Sequence, residues 1–296
     1  MARGSLSATA TGIAYILAAM LCFSVLDAMG KALRLAGHPV GQIVWARNAG
    51  QFLIVLLIFR TAIPAIARTR HLGLHSLRAV SQLGAAAFFF LSLGYIGLAE
   101  ATAIMDLNPV LITLGAALIF GEKLGPRRIV GIVLALLGAL IIIRPGSSMF
   151  TPAAFLPLIG AVCYTSFALA TRKVGRSENV WTAMFWSGAI ATLLTSLLLP
   201  WQWVTPAAGS LLLFAGVGIA GTLAQLFMIR AFALADAGVI APFGYIGILF
   251  ATVWGYVFFG EIPDIWVGVG ALVIVGAGLY VWHRETRARQ EQVAAD

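Results

Sequence analysis

Three charged residues lie inside long apolar stretches near the start of the chain, where a charge needs a specific partner. Asp27 and Lys31 are four residues apart and therefore share one face of a helix. They form an ion pair that sets helix register, or they contact a ligand or a proton, and both interpretations stay open. Arg47 lies in the next apolar stretch, and its guanidinium can hold a carboxylate through two parallel hydrogen bonds. The alternatives for Arg47 are pairing with Asp27 and extension toward water.

Polar residues also accompany two prolines. Asp106 and Asn108 come just before Pro109, which removes a backbone donor, kinks a helix and leaves a nearby carbonyl without its partner. A comparable stretch much later in the chain contains Pro242, Gly244 and Tyr245. We predict hinges beside a cavity at Pro109, Pro242 and Gly244, with ordinary kinks fitted to packing as the alternative.

Hydrogen-bonding side chains in other apolar stretches complete a candidate site for a small molecule. A phenol or an indole deep in an apolar stretch needs a hydrogen-bond partner, which a ligand can supply. The predicted ligand-binding residues are Ser24, Arg47, Asn108, Tyr164, Trp186, Gln225 and Tyr245. The residues predicted to form an ion pair or to couple the site to an ion are Asp27, Lys31 and Asp106.

The sequence contains no pattern of catalytic or cofactor-binding residues. His71 and His75 have a spacing that suits a metal, but they lie in a polar connection without a third ligand, so we predict no metal site. No nucleophile–base arrangement, phosphate-binding glycine loop or nucleotide-binding motif is present. We therefore predict no enzyme activity, no catalytic residues and no cofactor, and a gradient rather than ATP as the energy source.

Composition identifies the elements that must position these residues. The 296 residues are 61% hydrophobic and 10% charged, whereas soluble domains have about 45–50% apolar and about 25% charged residues. A soluble fold of this composition would expose large apolar patches. The net charge of +8 is spread between the apolar segments, so we predict a lipid bilayer as partner and no nucleic acid.

Ten apolar segments are long enough to span a bilayer as helices, and we predict an all-α protein that crosses the membrane repeatedly. The segments are 12–33, 40–60, 76–97, 99–120, 126–143, 152–171, 180–200, 208–230, 235–259 and 264–283. Most of the 19 lysines and arginines fall in connections on the side of the N-terminus, whereas Lys31, Arg34 and Arg144 fall on the other side. Basic connections stay in the cytoplasm, so we predict that both termini are cytoplasmic.

The two halves of the chain repeat one pattern. Both contain the tripeptide FGE, at 120–122 and 259–261, and a glycine nine residues after the glutamate, at Gly131 and Gly270. The predicted repeats are residues 12–143 and 152–283, which together form one transport domain. Five helices in each repeat require the second copy to cross the membrane upside down relative to the first, as in many secondary transporters.

Ten helices in two halves, each with FGE at the end of its fourth helix, resemble the EamA-type drug/metabolite transporter superfamily, and most of all the bacterial YddG-type amino acid exporters. The resemblance implies a secondary transporter that exports neutral amino acids, aromatic ones included, across the bacterial inner membrane by alternating access around a midplane cavity. A cationic drug or a phosphorylated metabolite is the alternative solute. The small-residue stripe at Gly131, Ala135 and Ala139 suits packing within the chain or in a dimer, so the choice between monomer and homodimer stays open.

Overall fold

The structure, a computed structural model, describes residues 2–121, 125–145, 151–174, 178–234 and 241–295. All regular elements in these ranges are helical, and none of these residues lies in a β-strand. The helices are α1 (Ala2–Leu35), α2 (Val40–Ile58), α3 (Ile63–Ile66), α4 (Leu72–Ser92), α5 (Leu98–Met105), α6 (Asn108–Phe120), α7 (Pro126–Ile143), α8 (Phe155–Val174), α9 (Val180–Gln202), α10 (Ala208–Leu234), α11 (Ile246–Phe259) and α12 (Ile265–Ala295). Short 3-10 turns at Pro152–Ala154 and Ala241–Tyr245 precede α8 and α11.

Eight helical segments are long and apolar enough to cross a membrane. They are Ala10–Leu35, Val40–Ile58, Leu72–Ser92, Leu98–Phe120, Pro152–Val174, Val180–Gln202, Ala208–Ala231 and Ile265–His283. Two shorter apolar helices, Ile129–Ile143 and Phe243–Phe259, lie where the fifth and ninth spans are predicted. The all-helical membrane architecture is therefore confirmed, and a total of ten spans remains a prediction.

The predicted fourth span consists of two helices. Helix α5 ends at Met105 and α6 begins at Asn108, with Asp106 and Leu107 between them. Pro109 has no N–H to offer the carbonyl four residues earlier, and it lies in the first turn of α6, where that donor is not needed. The start of the predicted ninth span, residues 235–240, lies outside the described residues, and the described part begins with the turn at Ala241–Tyr245.

The chain forms two compact units, and each draws on both halves of the sequence. Unit 1 comprises Met1–Ser24, Gly97–Thr151 and Leu223–Asp296. Within it α7 packs along α12: Gly131 lies beside Ala277, and Gly138 lies beside Gly270. Because the contact position advances along α7 as it recedes along α12, the two helices are antiparallel. They occupy the fifth position of the two predicted repeats.

Helix α5 also packs against α11 in unit 1, and a glutamate joins them. Glu261 Oε2 accepts a hydrogen bond from the backbone N–H of Leu98 at 2.9 Å, so the second FGE glutamate caps the start of α5. Gly97 and Gly255 lie next to the same carboxylate and leave room for it. The first FGE glutamate, Glu122, lies outside the described residues.

Unit 2 comprises Val25–Ile96 and Pro152–Thr222. Within it α2 packs antiparallel to α9, the second helix of the other predicted repeat. Trp45 Nε1 donates to Ser196 Oγ at 2.9 Å, and the rings of Phe59 and Trp181 lie 4.6 Å apart at the other end. Antiparallel packing of counterpart helices, here and in the pair α7–α12, is the arrangement that an inverted repeat requires.

We expect Gly270→Ala to destabilise the protein. A Cβ on Gly270 would lie 2.6 Å from the backbone oxygen of Gly138, which can move away only if α7 and α12 separate. Such overpacking costs about 1–3 kcal/mol, so thermal unfolding in detergent should occur at a lower temperature. Gly268→Ala on the same helix is the control, because nothing lies within 4 Å of its added Cβ. Equal melting temperatures of the two variants would contradict the close packing.

Candidate functional site

Asp27, Arg47 and Tyr164 form a polar cluster in unit 2, here called the Arg47 cluster. The Arg47 guanidinium interacts electrostatically with the Asp27 carboxyl and with the Tyr164 hydroxyl, and all three side chains are half-buried. Within the described ranges, the guanidinium makes no hydrogen bond and no ion pair shorter than 4 Å. Its donors are therefore available to a ligand or to water.

Glycines create the space in which the Arg47 side chain lies. A Cβ on Gly221 of α10 would lie 3.4 Å from Arg47 Cγ and 3.7 Å from Nε, so the arginine passes directly over this glycine. One turn further along α2, a Cβ on Gly50 would lie 2.6 Å from the Cα of Gly218. The two backbones approach this closely because neither residue has a side chain.

The other predicted residues of unit 2 have structural contacts of their own. Lys31 is buried and its Nζ donates to the carbonyl of Ile96 at 3.0 Å. Trp186 Nε1 donates to the carbonyl of Ala67 at 3.2 Å, in the connection before α4. Since Phe52 of α2 packs against Phe185, Trp186 lies more than one helical turn from Arg47 along the helix pair, and the structure does not bring it into the cluster.

Sequence analysis missed two buried hydroxyl groups that directly follow predicted site residues of unit 2. Thr165 follows Tyr164 and Ser187 follows Trp186, and the hydroxyls of both lack a hydrogen-bond partner in the described part of the chain. Threonine and serine usually bond to a carbonyl one turn earlier in their own helix, as Thr171 does with Phe167. Hydroxyl groups are common in membrane helices, so no sequence signal distinguishes these two from the satisfied ones.

Asp106, Asn108 and Tyr245 form a second polar cluster in unit 1, here called the Asp106 cluster. Asp106 Oδ2 and Asn108 Oδ1 are buried at the break between α5 and α6, and neither has a hydrogen-bond partner among the described residues. Tyr245 ends the 3-10 turn before α11, and its hydroxyl lies within electrostatic range of Asp106. The two proline-containing stretches singled out in the sequence therefore meet in one place.

The remaining candidates of unit 1 are Ser24, Gln225, Pro242 and Gly244. Ser24 is buried, donates to the carbonyl of Leu21 at 2.8 Å and accepts a hydrogen bond from Trp254 Nε1 at 3.0 Å. Its hydroxyl already has protein partners, and Trp254 is a contact that sequence analysis missed. Gln225 is half-buried on α10, and a Cβ added to Gly244 in the turn would have no neighbouring atom within 4 Å. Pro242 belongs to the same turn.

Glu178 organises a third group of polar residues, at the connections of unit 2. Its carboxylate accepts hydrogen bonds from Thr69 Oγ1 at 2.6 Å, from the backbone N–H of Arg70 at 3.0 Å and from His75 Nε2 at 2.7 Å. Arg78 is buried beside it and donates to Thr171 Oγ1 and to the carbonyl of Ala183. His75, one of the two histidines considered for a metal, thus bonds to a carboxylate, and the described residues contain no cluster of metal ligands.

Partial burial raises the pKa of Glu178, but the hydrogen bonds from Thr69, His75 and Arg70 outweigh it and lower the pKa from its ordinary 4.5 to about 2. The ionised carboxylate therefore stabilises the folded protein above pH 4.5. That stability is lost as the pH falls from 4.5 toward 2.

Comparison with known proteins agrees with this architecture. The model of the EamA-like transporter family matches residues 10–144 and again residues 151–282. This chain belongs to the EamA-like transporter family. The members of this family are transporters and not enzymes. The sequence-based predictions of the superfamily and of no enzyme activity are therefore confirmed.

Similar proteins carry several solutes. The chain is 32% identical to the pseudopaline exporter CntI of Pseudomonas aeruginosa over 275 residues, which cover 90% of this chain and 94% of that protein. It is 28% identical to a riboflavin transporter of Rhizobium johnstonii, with 96% and 95% covered, and 24% identical to an S-adenosylmethionine uptake transporter of Rickettsia prowazekii, with 94% of each covered. A solved crystal structure superposes with a TM-score of 0.64 at 19% identity over 95% of this chain and 98% of that one, which shows the fold.

Membership in this family specifies neither the solute nor the direction of transport. Their names include an exporter and an uptake transporter, and three different solutes. The protein is therefore a membrane transporter of a small molecule, whereas the likeness to amino acid exporters remains a proposal.

We expect Glu178→Gln to lower the melting temperature at pH 7, because an amide offers one acceptor oxygen where the carboxylate uses two, at a cost of about 1 kcal/mol. The difference from the unchanged protein should shrink between pH 4.5 and pH 2, where Glu178 itself becomes protonated. Thermal unfolding in detergent across this range measures both effects. A difference that stays constant down to pH 2 would show that the charge of Glu178 is not the cause.

Proposed function

We propose that this transporter moves amino acids out of the cell. The observation that carries the proposal is the Arg47 cluster, which places a guanidinium and a carboxyl group in electrostatic range without a direct bond between them. A zwitterion has one group for each: its carboxylate suits the planar fork of Arg47, and its ammonium suits Asp27. Tyr164 adds a phenol that can donate a hydrogen bond or contact an apolar side chain.

Alternating access around a membrane-embedded site supplies the mechanism. Secondary transporters with inverted repeats bind the substrate near the midplane and expose it to one side at a time. The antiparallel counterpart pairs α2–α9 and α7–α12 support this arrangement, with the predicted repeats 12–143 and 152–283 as its two copies. The distribution of basic residues supports the bacterial inner membrane with both termini in the cytoplasm.

A cationic solute is the second candidate, and the Asp106 cluster favours it. The carboxyl oxygen of Asp106 that has no partner among the described residues offers an acceptor to an ammonium group or to a proton. For an amino acid exporter, we propose that Asp106 binds and releases the proton that couples transport to the pH gradient. The phosphorylated metabolite considered from the sequence requires several cations, and Lys31 donates to the Ile96 carbonyl instead.

We expect Arg47 to read the carboxylate of the substrate. In proteoliposomes, the unchanged protein should transport labelled phenylalanine faster than phenylalaninamide, which lacks the carboxylate. Arg47→Ala should lower phenylalanine transport by about 10- to 100-fold, the range for a hydrogen bond to a charged group, and should abolish the preference. Arg47→Lys should restore only part of it, because an ammonium has no planar fork.

Arg60→Ala is the matched control, because Arg60 is an exposed arginine beyond the end of α2. It should leave rate and preference unchanged. If the unchanged protein carries acid and amide equally well, Arg47 does not bind a substrate carboxylate and the amino acid proposal is wrong. A melting temperature of Arg47→Ala close to that of the unchanged protein excludes unfolding as the cause.

We expect Asp106→Asn to uncouple transport from the pH gradient. The amide keeps the shape and one acceptor of the carboxyl group but cannot exchange a proton. Transport by the unchanged protein should accelerate when a pH gradient is imposed, whereas the variant should transport at the same lower rate with and without it. A variant that still responds to the gradient would exclude Asp106 as the coupling group.

A further inference from the structure

Unit 2 contains a cleft of about 540 Å³ that the transport proposal does not use. It lies between the segment that precedes α4 and the start of α9. The residues that matter for its chemistry are Arg68, Arg70, His71, Glu178, Asn179 and Thr182, and together they are called the basic cleft.

The basic cleft carries unneutralised positive charge. Arg68 and Arg70 are exposed, and neither guanidinium forms an ion pair with the described residues. The carboxylate of Glu178 also lines the cleft, but its hydrogen bonds to Thr69, the Arg70 backbone and His75 stabilise it where it is. The net charge of the side chains that line the cleft is therefore positive, which favours binding of an anion.

Two groups at the start of α9 point to a ligand in addition to the charge. Thr182 is 5% exposed and lines the cleft, so its hydroxyl can donate to a ligand held there. The first turn of a helix also carries N–H groups that no earlier residue can satisfy, and Asn179 Oδ1 accepts only that of Trp181. A phosphate oxygen satisfies both a hydroxyl donor and backbone N–H donors.

Apolar side chains next to the cleft indicate that the phosphate belongs to a lipid and is not a free ion. Leu72 follows His71 and is 49% exposed, and Val180 follows Asn179 and is 45% exposed. Both begin helices long and apolar enough to span the membrane. A free ion gains nothing from such neighbours, whereas the acyl chains of a lipid cover them.

We propose that the basic cleft binds the phosphate headgroup of an anionic phospholipid. Arg68 and Arg70 hold the phosphate by charge-assisted hydrogen bonds, the Thr182 hydroxyl donates to a phosphate oxygen, and the acyl chains extend along the exposed faces of α4 and α9. The same basic connections that orient a membrane protein then also select its lipid.

The test is a lipid titration of the full chain in detergent, read by native mass spectrometry. Phosphatidylglycerol is the anionic probe, phosphatidylcholine has the same phosphodiester without net charge, and inorganic phosphate is the competitor without acyl chains. The charge-removal variant is Arg68→Gln with Arg70→Gln, and Arg60→Gln removes one charge from the same connection outside the cleft. Thr182→Val removes only the hydroxyl.

The unchanged protein should bind phosphatidylglycerol about tenfold more tightly than phosphatidylcholine. The double variant should weaken phosphatidylglycerol binding by about 30-fold, Thr182→Val by about fivefold, and Arg60→Gln by less than twofold. The exposed position of both arginines predicts unchanged melting temperatures.

The proposal would be overturned if Arg60→Gln weakened phosphatidylglycerol binding as much as replacement of one cleft arginine alone. The lipid would then be attracted by the overall positive charge and not bound in the cleft. Equal binding of the two phospholipids would overturn it as well. Displacement of phosphatidylglycerol by inorganic phosphate at comparable concentration would show a site for free anions and exclude the lipid.

Discussion

Close approach of helix backbones at glycine is the constraint on which both units depend. In lipid the apolar surfaces of helices gain little from leaving the solvent, so association rests on packing and on hydrogen bonds. Gly138 and Gly270 provide this contact between α7 and α12, and Gly50 and Gly218 provide it between α2 and α10. The second contact also leaves the space over Gly221 in which Arg47 lies. The packing that forms unit 2 therefore positions the Arg47 guanidinium.

Hydrogen bonding separates the polar residues that serve packing from those that remain available. Lys31 and Ser24 donate to backbone carbonyls, and Glu261 accepts from a helix N-terminus. Inside a bilayer such bonds are worth forming because the alternative is an unsatisfied polar group in hydrocarbon. Arg47 and Asp106 differ because the described chain leaves part of their hydrogen-bonding capacity unused. This unused capacity suits the roles proposed for them, because a substrate or a proton can complete their hydrogen bonding temporarily.

The sequence predicted what depends on local pattern and missed what depends on distant partners. The length of the apolar stretches predicted the positions of the membrane helices, and Pro109 indicated the region where α5 ends and α6 begins. The bond of Trp254 to Ser24 joins residues 230 positions apart, and the Glu178 bonds join two connections more than 100 positions apart. No spacing rule links such residues. For the same reason Ser24 and Trp186 could be recognised as polar but not as residues with partners of their own.

The repeat also explains why a symmetric framework can bind an asymmetric solute. The spacing that relates Phe120 to Phe259 also relates Arg47 to Trp186, so the guanidinium of one copy is replaced by an indole in the other. Trp186 bonds to the Ala67 carbonyl and needs no ligand. Antiparallel counterparts such as α2 and α9 can therefore keep the same packing while only one of them offers a charge. The proposed amino acid substrate has a single carboxylate, for which one arginine in one copy is sufficient.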